Sequence, residues 1–177
     1  MYHLLAGLYG GGKTWLLAKL RAMYLDGPEP SSRIAPTVGQ NVLDLPSHGA
    51  VLHIWDLGGA SSMRSLWLEY VPDAHVLAWA LDAEAWMANE PVADEGGARY
   101  RDATCSALFG VVREAAALGL STVVLVTKSD TCRVSLSDIE SYIVARWSAA
   151  DDMSSTTVRP DWHFCTVSAA TGLPKRG

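Results

Sequence analysis

The sequence predicts an α/β fold, a three-layer sandwich around a mostly parallel sheet that carries one antiparallel hairpin. Short apolar or β-branched runs alternate with helical stretches, the pattern of strands buried between two helical layers. The chain has 177 residues, the length of one domain. By surface scaling, about 70% of its extended surface can be buried, enough for such a core without disulfide or metal staples. Composition agrees: 49% hydrophobic and 19% charged is too apolar for a disordered chain.

Taken in order, Tyr2 to Ala6 reads as a short strand and is followed by a glycine-rich turn. From Thr14 to Leu25, Trp15, Leu16, Ala18, Leu20, Ala22 and Met23 give a helix its apolar side. Asp26 to Pro36 carries Pro28, Pro30 and Pro36 and is a loop. Asn41–Leu45 and Ala50–Asp56 form two strands joined by a turn at Pro46-Ser-His-Gly49. His75–Leu81 and Thr122–Thr127 have the apolar, β-branched character of buried strands. Between them, a loop over Asn89 to Ala98 precedes a helix from about Arg99 to Leu118. Ser137-Asp-Ile-Glu140 has capping-box spacing and opens a helix running to Trp147. His163–Val167 is the last strand, and the ten residues after it, Ser168 to Gly177, are too few for a closing helix. An apolar patch is therefore expected beside that strand.

Charge and cysteine content exclude several classes. A net charge of −5 argues against holding nucleic-acid backbone by charge alone. Cys105, Cys132 and Cys165 are far apart, with no C-x-x-C pair, which fits a reducing compartment better than a disulfide framework or zinc ribbon. The most apolar stretch, Val76 to Ala88, is broken by Asp82 and Glu84 and cannot span a bilayer. The N-terminus lacks a basic segment before Lys13, and Tyr2 stands where N-myristoylation needs glycine. The expectation is a soluble intracellular domain.

Gly7-Leu-Tyr-Gly-Gly-Gly12-Lys13-Thr14 fits G-x-x-x-x-G-K-[ST] between a strand and a helix, the context that motif requires. Its physics is direct. Backbone N–H groups of Gly7, Gly10, Gly11 and Gly12, at the positive end of a helix, surround phosphate oxygens. Lys13 neutralises the outer phosphates, and the Thr14 hydroxyl can ligate Mg²⁺. The fold is therefore expected to be that of a P-loop NTPase.

Three later segments narrow the choice among kinases, ATPases and GTPases. Pro36-Thr37-Val-Gly39 ends a loop before a strand, and Trp55-Asp56-Leu-Gly58-Gly59 ends the next strand. Thr127-Lys128-Ser-Asp130 follows a third, with Ser168-Ala169 after a fourth as weaker support. A loop threonine can complete Mg²⁺ coordination, a strand-end aspartate can hold the metal through water, and the Gly59 N–H can reach a γ-phosphate. A carboxylate such as Asp130 accepts from both guanine N1–H and its amine, a pattern adenine does not offer.

With these segments in order, the chain resembles a small GTPase of the Arf/Arf-like (ADP-ribosylation factor) family. Pro36-Thr37-Val-Gly39-Gln-Asn41 resembles that family's switch I, and Trp55-Asp-Leu-Gly-Gly59 with Leu66-Trp67-x-x-Tyr70 its switch II. The opening Met1 to Tyr9 looks most like the Arf-related protein branch, which is associated with the trans-Golgi. The resemblance implies a single G domain over residues 1–177, shortened at both ends. It further implies a switch that cycles between GDP and GTP with Mg²⁺ under exchange factors and GTPase-activating proteins, and that recruits effectors. Golgi and vesicle trafficking, protein transport and peripheral membrane contact from a cytoplasmic location belong to the same implication, and nucleic acid does not.

Carried over by position, Lys13, Thr37 and Gly59 would serve catalysis, and Thr14, Thr37 and Asp56 the metal. Gly7, Gly10, Gly11, Gly12, Lys13, Thr14 and Gly59 would hold phosphates, and Thr127, Lys128, Asp130, Ser168 and Ala169 the base. Trp55, Trp67 and Tyr70 match the family's aromatic effector positions, though core packing explains such residues equally well.

The chain also departs from the family pattern. Ala60 stands where the family has the glutamine that orients the attacking water, so unaided hydrolysis is expected to be very slow. Thr127 replaces the usual asparagine, as in Rho-type GTPases, and guanine binding should survive. Tyr9 takes a usually acidic position. The first nine residues resemble the family's N-terminal helix yet run directly into the glycine turn, so either His3–Ala6 is a curtailed first strand or a segment of the usual chain is missing between Tyr9 and Gly10. The competing reading is a degenerate, nucleotide-independent interaction protein built on the same fold.

Overall fold

The computed structural model describes residues 1–31, 34–47, 49–151, 159–168 and 174–175. A sheet runs in the order β2-β3-β1-β4-β5-β6-β7. Its strands are β1 (Tyr2–Ala6), β2 (Gln40–Ser47), β3 (Ala50–Leu57), β4 (Val76–Asp82), β5 (Ser121–Thr127), β6 (Asp161–Val167) and β7 (Pro174–Lys175). Neighbours pair in parallel except β2 with β3 and β6 with β7.

β1 lies between β3 and β4, and its last three residues are buried. The opening segment is thus a strand that leads straight into the glycine turn. From β1 the chain builds β2 and β3 on one side, then crosses to β4 on the other. Strand order reverses at β1, and such a reversal opens a ligand crevice at the carboxyl ends of the strands.

The helices are α1 (Lys13–Tyr24), α2 (Arg64–Tyr70), α3 (Ala83–Ala88), α4 (Tyr100–Ala117) and α5 (Leu136–Asp151). On one face, Leu17 of α1 packs with Leu5, Leu43 and Ala80. The larger core on the other face joins Trp67 of α2, Leu108 and Val112 of α4, and Ile139 and Ile143 of α5 with Leu4, Leu77, Trp79 and Val124. Trp67 and Trp79 meet edge to face at 5.5 Å. On the α1 face, Ala78, Val123, Leu125 and Cys165 are only half-buried, so β4 to β6 are less covered there.

Four local expectations need correction. The hairpin turn does not begin at Pro46, because β2 continues to Ser47, with Pro46 opposite Val51. Proline is tolerated there because β2 is an edge strand, where a missing N–H removes no ladder bond. The cap of α5 is Ser135, whose Oγ accepts from the Asp138 N–H at 3.2 Å, so the capping spacing sits two residues earlier than Ser137. A second antiparallel pair, β6 with β7, follows the last expected strand. Finally, Ala83–Ala88, read only as apolar sequence, is a short helix capped by Asp82. Among the described residues no helix is long and apolar enough to cross a membrane.

Candidate nucleotide-binding site

At the carboxyl ends of the strands lies a cavity of about 540 Å³. Its lining includes Gly10, Gly11, Gly12, Lys13 and Thr14 from the glycine turn, Thr37 and Gly59 from the switch segments, and Thr127, Lys128 and Asp130 from the end of β5. Residues up to 120 positions apart are thus brought to one volume by strand order. Gly7, Asp56 and Ser168 do not line it. Ser168 is buried near the end of β6, and Ala169 lies outside the described residues.

The glycine turn is shaped by close approach. Gly7 has φ +145°, and a Cβ there would lie 2.5 Å from the Ala80 carbonyl oxygen of β4. Only hydrogen fits. α1 then starts from Gly12 with no side-chain cap and no acidic residue in its first turn. Its first N–H groups and positive dipole end face the cavity, with no acidic residue of the helix's own first turn among them, which suits an anion.

Lys13 is 6% exposed. Its ammonium donates to the carbonyls of Gly7 at 2.8 Å and Leu8 at 3.1 Å. Burial pushes its pKa down to about 8, and the Asp56 carboxylate opposes that shift. Gly59 approaches from the other side, where a Cβ would stand 2.6 Å from the Lys13 ammonium and 2.7 Å from the Gly7 oxygen.

Beside Lys13 is an oxygen cluster. Asp56 is fully buried. Its Oδ2 accepts from Thr14 Oγ1 at 2.7 Å, and the two hydroxyls of Thr14 and Thr37 are 2.8 Å apart. Asn41, paired with Asp56 across β2 and β3, donates its amide to both Thr37 Oγ1 and Asp56 Oδ2 at 3.2 Å. The other carboxylate oxygen of Asp56 is buried without a hydrogen-bond partner. Two hydroxyls converging on a carboxylate with one unsatisfied oxygen form the all-oxygen donor set that a hard divalent cation prefers.

The base end is organised by Thr127, whose buried hydroxyl lies 2.9 Å from the Gly11 carbonyl and 3.1 Å from that of Leu81. That threonine ties the β5 end to the phosphate turn. Lys128 adopts φ +55°, an uncommon conformation for a non-glycine residue, and its ammonium pairs with Asp82. Ser129 donates to Val167 at 3.1 Å, linking the ends of β5 and β6. Asp130 is exposed on the cavity wall.

Sequence reading missed Asn41 and Asp82 as contributors to the site, although Asn41 lies inside the switch I match. It also missed Ile34, Val38 and Met63, which form an apolar wall with Trp15. A strand-end carboxylate was the available signal for Asp82. Tyr9 lines the cavity and is 58% exposed. Among the aromatic trio, Trp67 is core: it is 2% exposed, and its indole N–H donates to the Gly58 carbonyl at 3.0 Å. Trp55 is half-buried between Tyr2, stacked at 4.8 Å, and Tyr70, edge-on at 5.1 Å.

A glycine turn between strand and helix, with lysine and threonine at its end and a strand-end aspartate behind it, defines a P-loop nucleotide-binding fold. The particular family follows from residues 1–93, which match the model of the ADP-ribosylation factor family, and the chain belongs to that family. It is 36% identical over 92 residues to ADP-ribosylation factor-like protein 2 of Drosophila melanogaster, covering 52% of this chain and 47% of that protein. To ADP-ribosylation factor-like protein 3 of Saccharomyces cerevisiae it is 38% identical over 81 residues, 45% of this chain and 41% of that one. The matched part therefore spans less than half the length of either relative.

Solved structures agree on the fold. The Trypanosoma brucei small GTPase Arl6 BBS3, with bound nucleotide analogue GppNp, superposes with TM-score 0.62 at 16% identity, covering 97% of this chain and 88% of that one. The mammalian SRP receptor gives TM-score 0.72 at 16% identity, with 97% and 93% covered.

Proposed function

We propose that this chain is a guanine-nucleotide-binding switch, organised as one G domain, that hydrolyses GTP very slowly unaided. The observation that carries this reading is the single cavity shared by Gly10–Thr14, Thr37, Gly59 and Thr127, Lys128, Asp130. The free N–H groups at the start of α1 would hold the phosphates, and Lys13 would exchange its two carbonyl partners for phosphate oxygens. Thr14, Thr37 and Asp56 would hold Mg²⁺, which when bound neutralises charge between the outer phosphates. Asp130 would accept from guanine, with Thr127 tying its loop to the glycine turn and Lys128 tying it to Asp82.

Ala60 lines the same cavity, and its methyl group has no hydrogen-bonding atom to orient water. Restoring that function with Ala60→Gln is expected to raise single-turnover hydrolysis on the order of 10²-fold, equivalent to roughly 2.7 kcal/mol of barrier. An unchanged rate would remove Ala60 as the cause of slow turnover. Family membership also supports exchange factors, activating proteins and effectors as partners, and a place in Golgi or vesicle traffic. A tagged copy spread evenly through the cell, whatever nucleotide it carries, would contradict that location.

The test of the main reading is titration with GTP, GDP and ATP, with and without Mg²⁺, followed by tryptophan fluorescence. Trp15 on the cavity wall and Trp67 against Gly58 are placed to report. Tight Mg²⁺-dependent binding of guanine nucleotides but not ATP is the expected result. The second reading, a nucleotide-independent interaction protein, is favoured by one observation: Lys13, Thr14, Thr37 and Asp56 all bond to one another or to backbone. No binding by a folded sample would select it.

A further inference from the structure

Outside the cavity, the structure contains a second contact with the switch II segment. The loop from Asn89 to Ala98 is braced internally: the Val92 N–H donates to Ala98 at 2.9 Å, Gly97 to Val92 at 3.0 Å, and Tyr100 to Glu90 at 3.1 Å. Arg99 donates to the Asn89 carbonyl at 3.1 Å, and the Arg101 N–H to the Asn89 side chain at 3.0 Å. This stiff loop carries a short 3₁₀ turn, Ala93–Glu95, whose two carboxylates face residues 61–64.

Asp94 accepts twice from Ser61: Oδ2 from the backbone N–H at 2.7 Å and Oδ1 from the hydroxyl at 3.1 Å. Glu95, its side chain only 8% exposed, pairs with Arg64. The Arg64 guanidinium in turn lies 5.8 Å from the centre of the Trp67 ring, and Trp67 holds the Gly58 carbonyl. Gly59 and Ala60 are therefore pinned from both sides, at Gly58 by Trp67 and at Ser61 by Asp94.

We infer that Asp94 and Glu95 are positioning residues for the γ-phosphate side of the site, acting through Ser61 and Arg64 on Gly59 and Ala60. The inference rests on the reading of the cavity as a guanine-nucleotide site. Gly59 stands against Lys13, where a third phosphate would meet both. A ligand that needs Gly59 binds more tightly when the loop has already ordered it, because less freedom is lost on binding. A diphosphate makes no such demand. The clasp therefore favours triphosphate over diphosphate.

The experiment compares the wild-type chain with Asp94→Asn, Asp94→Asn/Glu95→Gln and Asp94→Glu. Affinities for GDP and a non-hydrolysable GTP analogue are measured with Mg²⁺, alongside amide hydrogen exchange at residues 58–64. The two carboxamide variants should lose about tenfold in affinity for the GTP analogue while GDP stays within about twofold. Exchange at Ser61 should quicken, and Asp94→Glu should restore part of both. Asp94 is exposed, so Asp94→Asn disturbs no core and serves if the double variant does not fold. An equal loss for both nucleotides, no change, or a gain for the GTP analogue would overturn the inference while leaving the site reading intact. If the wild-type chain binds neither nucleotide, the site reading fails and takes this inference with it.

Discussion

The phosphate end and the base end of the cavity are built by different means. At the phosphate end, backbone does the shaping: Gly7 leaves no room for a Cβ against Ala80, Gly59 none against Lys13, and the charged groups Lys13 and Asp56 are buried. At the other end, one buried threonine anchors a loop whose Asp130, the proposed base-recognition group, is exposed. The first kind of construction couples binding to folding. The second lets specificity change with little cost in stability.

Substitutions at the two ends should therefore have different consequences. Lys13→Ala should have the largest effect, weakening every nucleoside triphosphate by about 10³-fold, because a charge-assisted contact in a buried site is lost. Isothermal titration reads it, and a loss under tenfold would mean that the backbone N–H groups dominate. Gly7→Ala comes next. The added Cβ meets Ala80 at 2.5 Å in a strained backbone conformation, so chemical denaturation should show a loss of about 3 kcal/mol.

At the other end, Asp130→Asn should reduce the preference for guanine over adenine by about 10²-fold, since an amide can no longer accept from both guanine donors. The melting temperature should hold, because Asp130 is exposed. A large drop in melting temperature would show that the two ends are not so different after all.

The buried ammonium of Lys13 makes a pH prediction. Its pKa falls from 10.5 to about 8 on folding, so between those values the unfolded chain binds more protons than the folded one. Stability of the ligand-free chain should therefore rise with pH across that window, by on the order of 2 kcal/mol. Denaturation at pH 7.5 and 10 checks the sign, with Lys13→Met as the control that removes the trend. The smallest effect belongs to Thr127→Val, which keeps the shape but loses the bonds to Gly11 and Leu81, at about 1 kcal/mol and a faster release of nucleotide.

Much of this site was legible in the sequence because its parts are local. The glycines, Lys13 and Thr14 lie within eight consecutive positions, and each switch segment sits beside a strand visible from its apolar run. The partners that escaped were distant. Asn41 reaches Asp56 across 15 positions, Asp94 reaches Ser61 across 33, and Asp82 reaches Lys128 across 46. A polar residue in a loop or at a strand end carries no mark of which remote group it will meet. Pro46 and Ser137 were misread for a related reason. An edge position excuses a proline, and with Ser135 and Ser137 two residues apart, only helix geometry decides which one caps.

The alternation of strands and helices, the glycine turn and the candidate residues at each strand end follow from periodicity and short-range spacing alone. Tertiary structure decided the rest. Placing β1 between β3 and β4 gathered those strand ends into one cavity, buried Lys13 and Asp56 together, turned Trp67 into core and set the 89–98 loop against Ser61 and Arg64. The physical reason is that burial and pairing depend on which strands become neighbours, and neighbours are chosen by packing the whole chain at once.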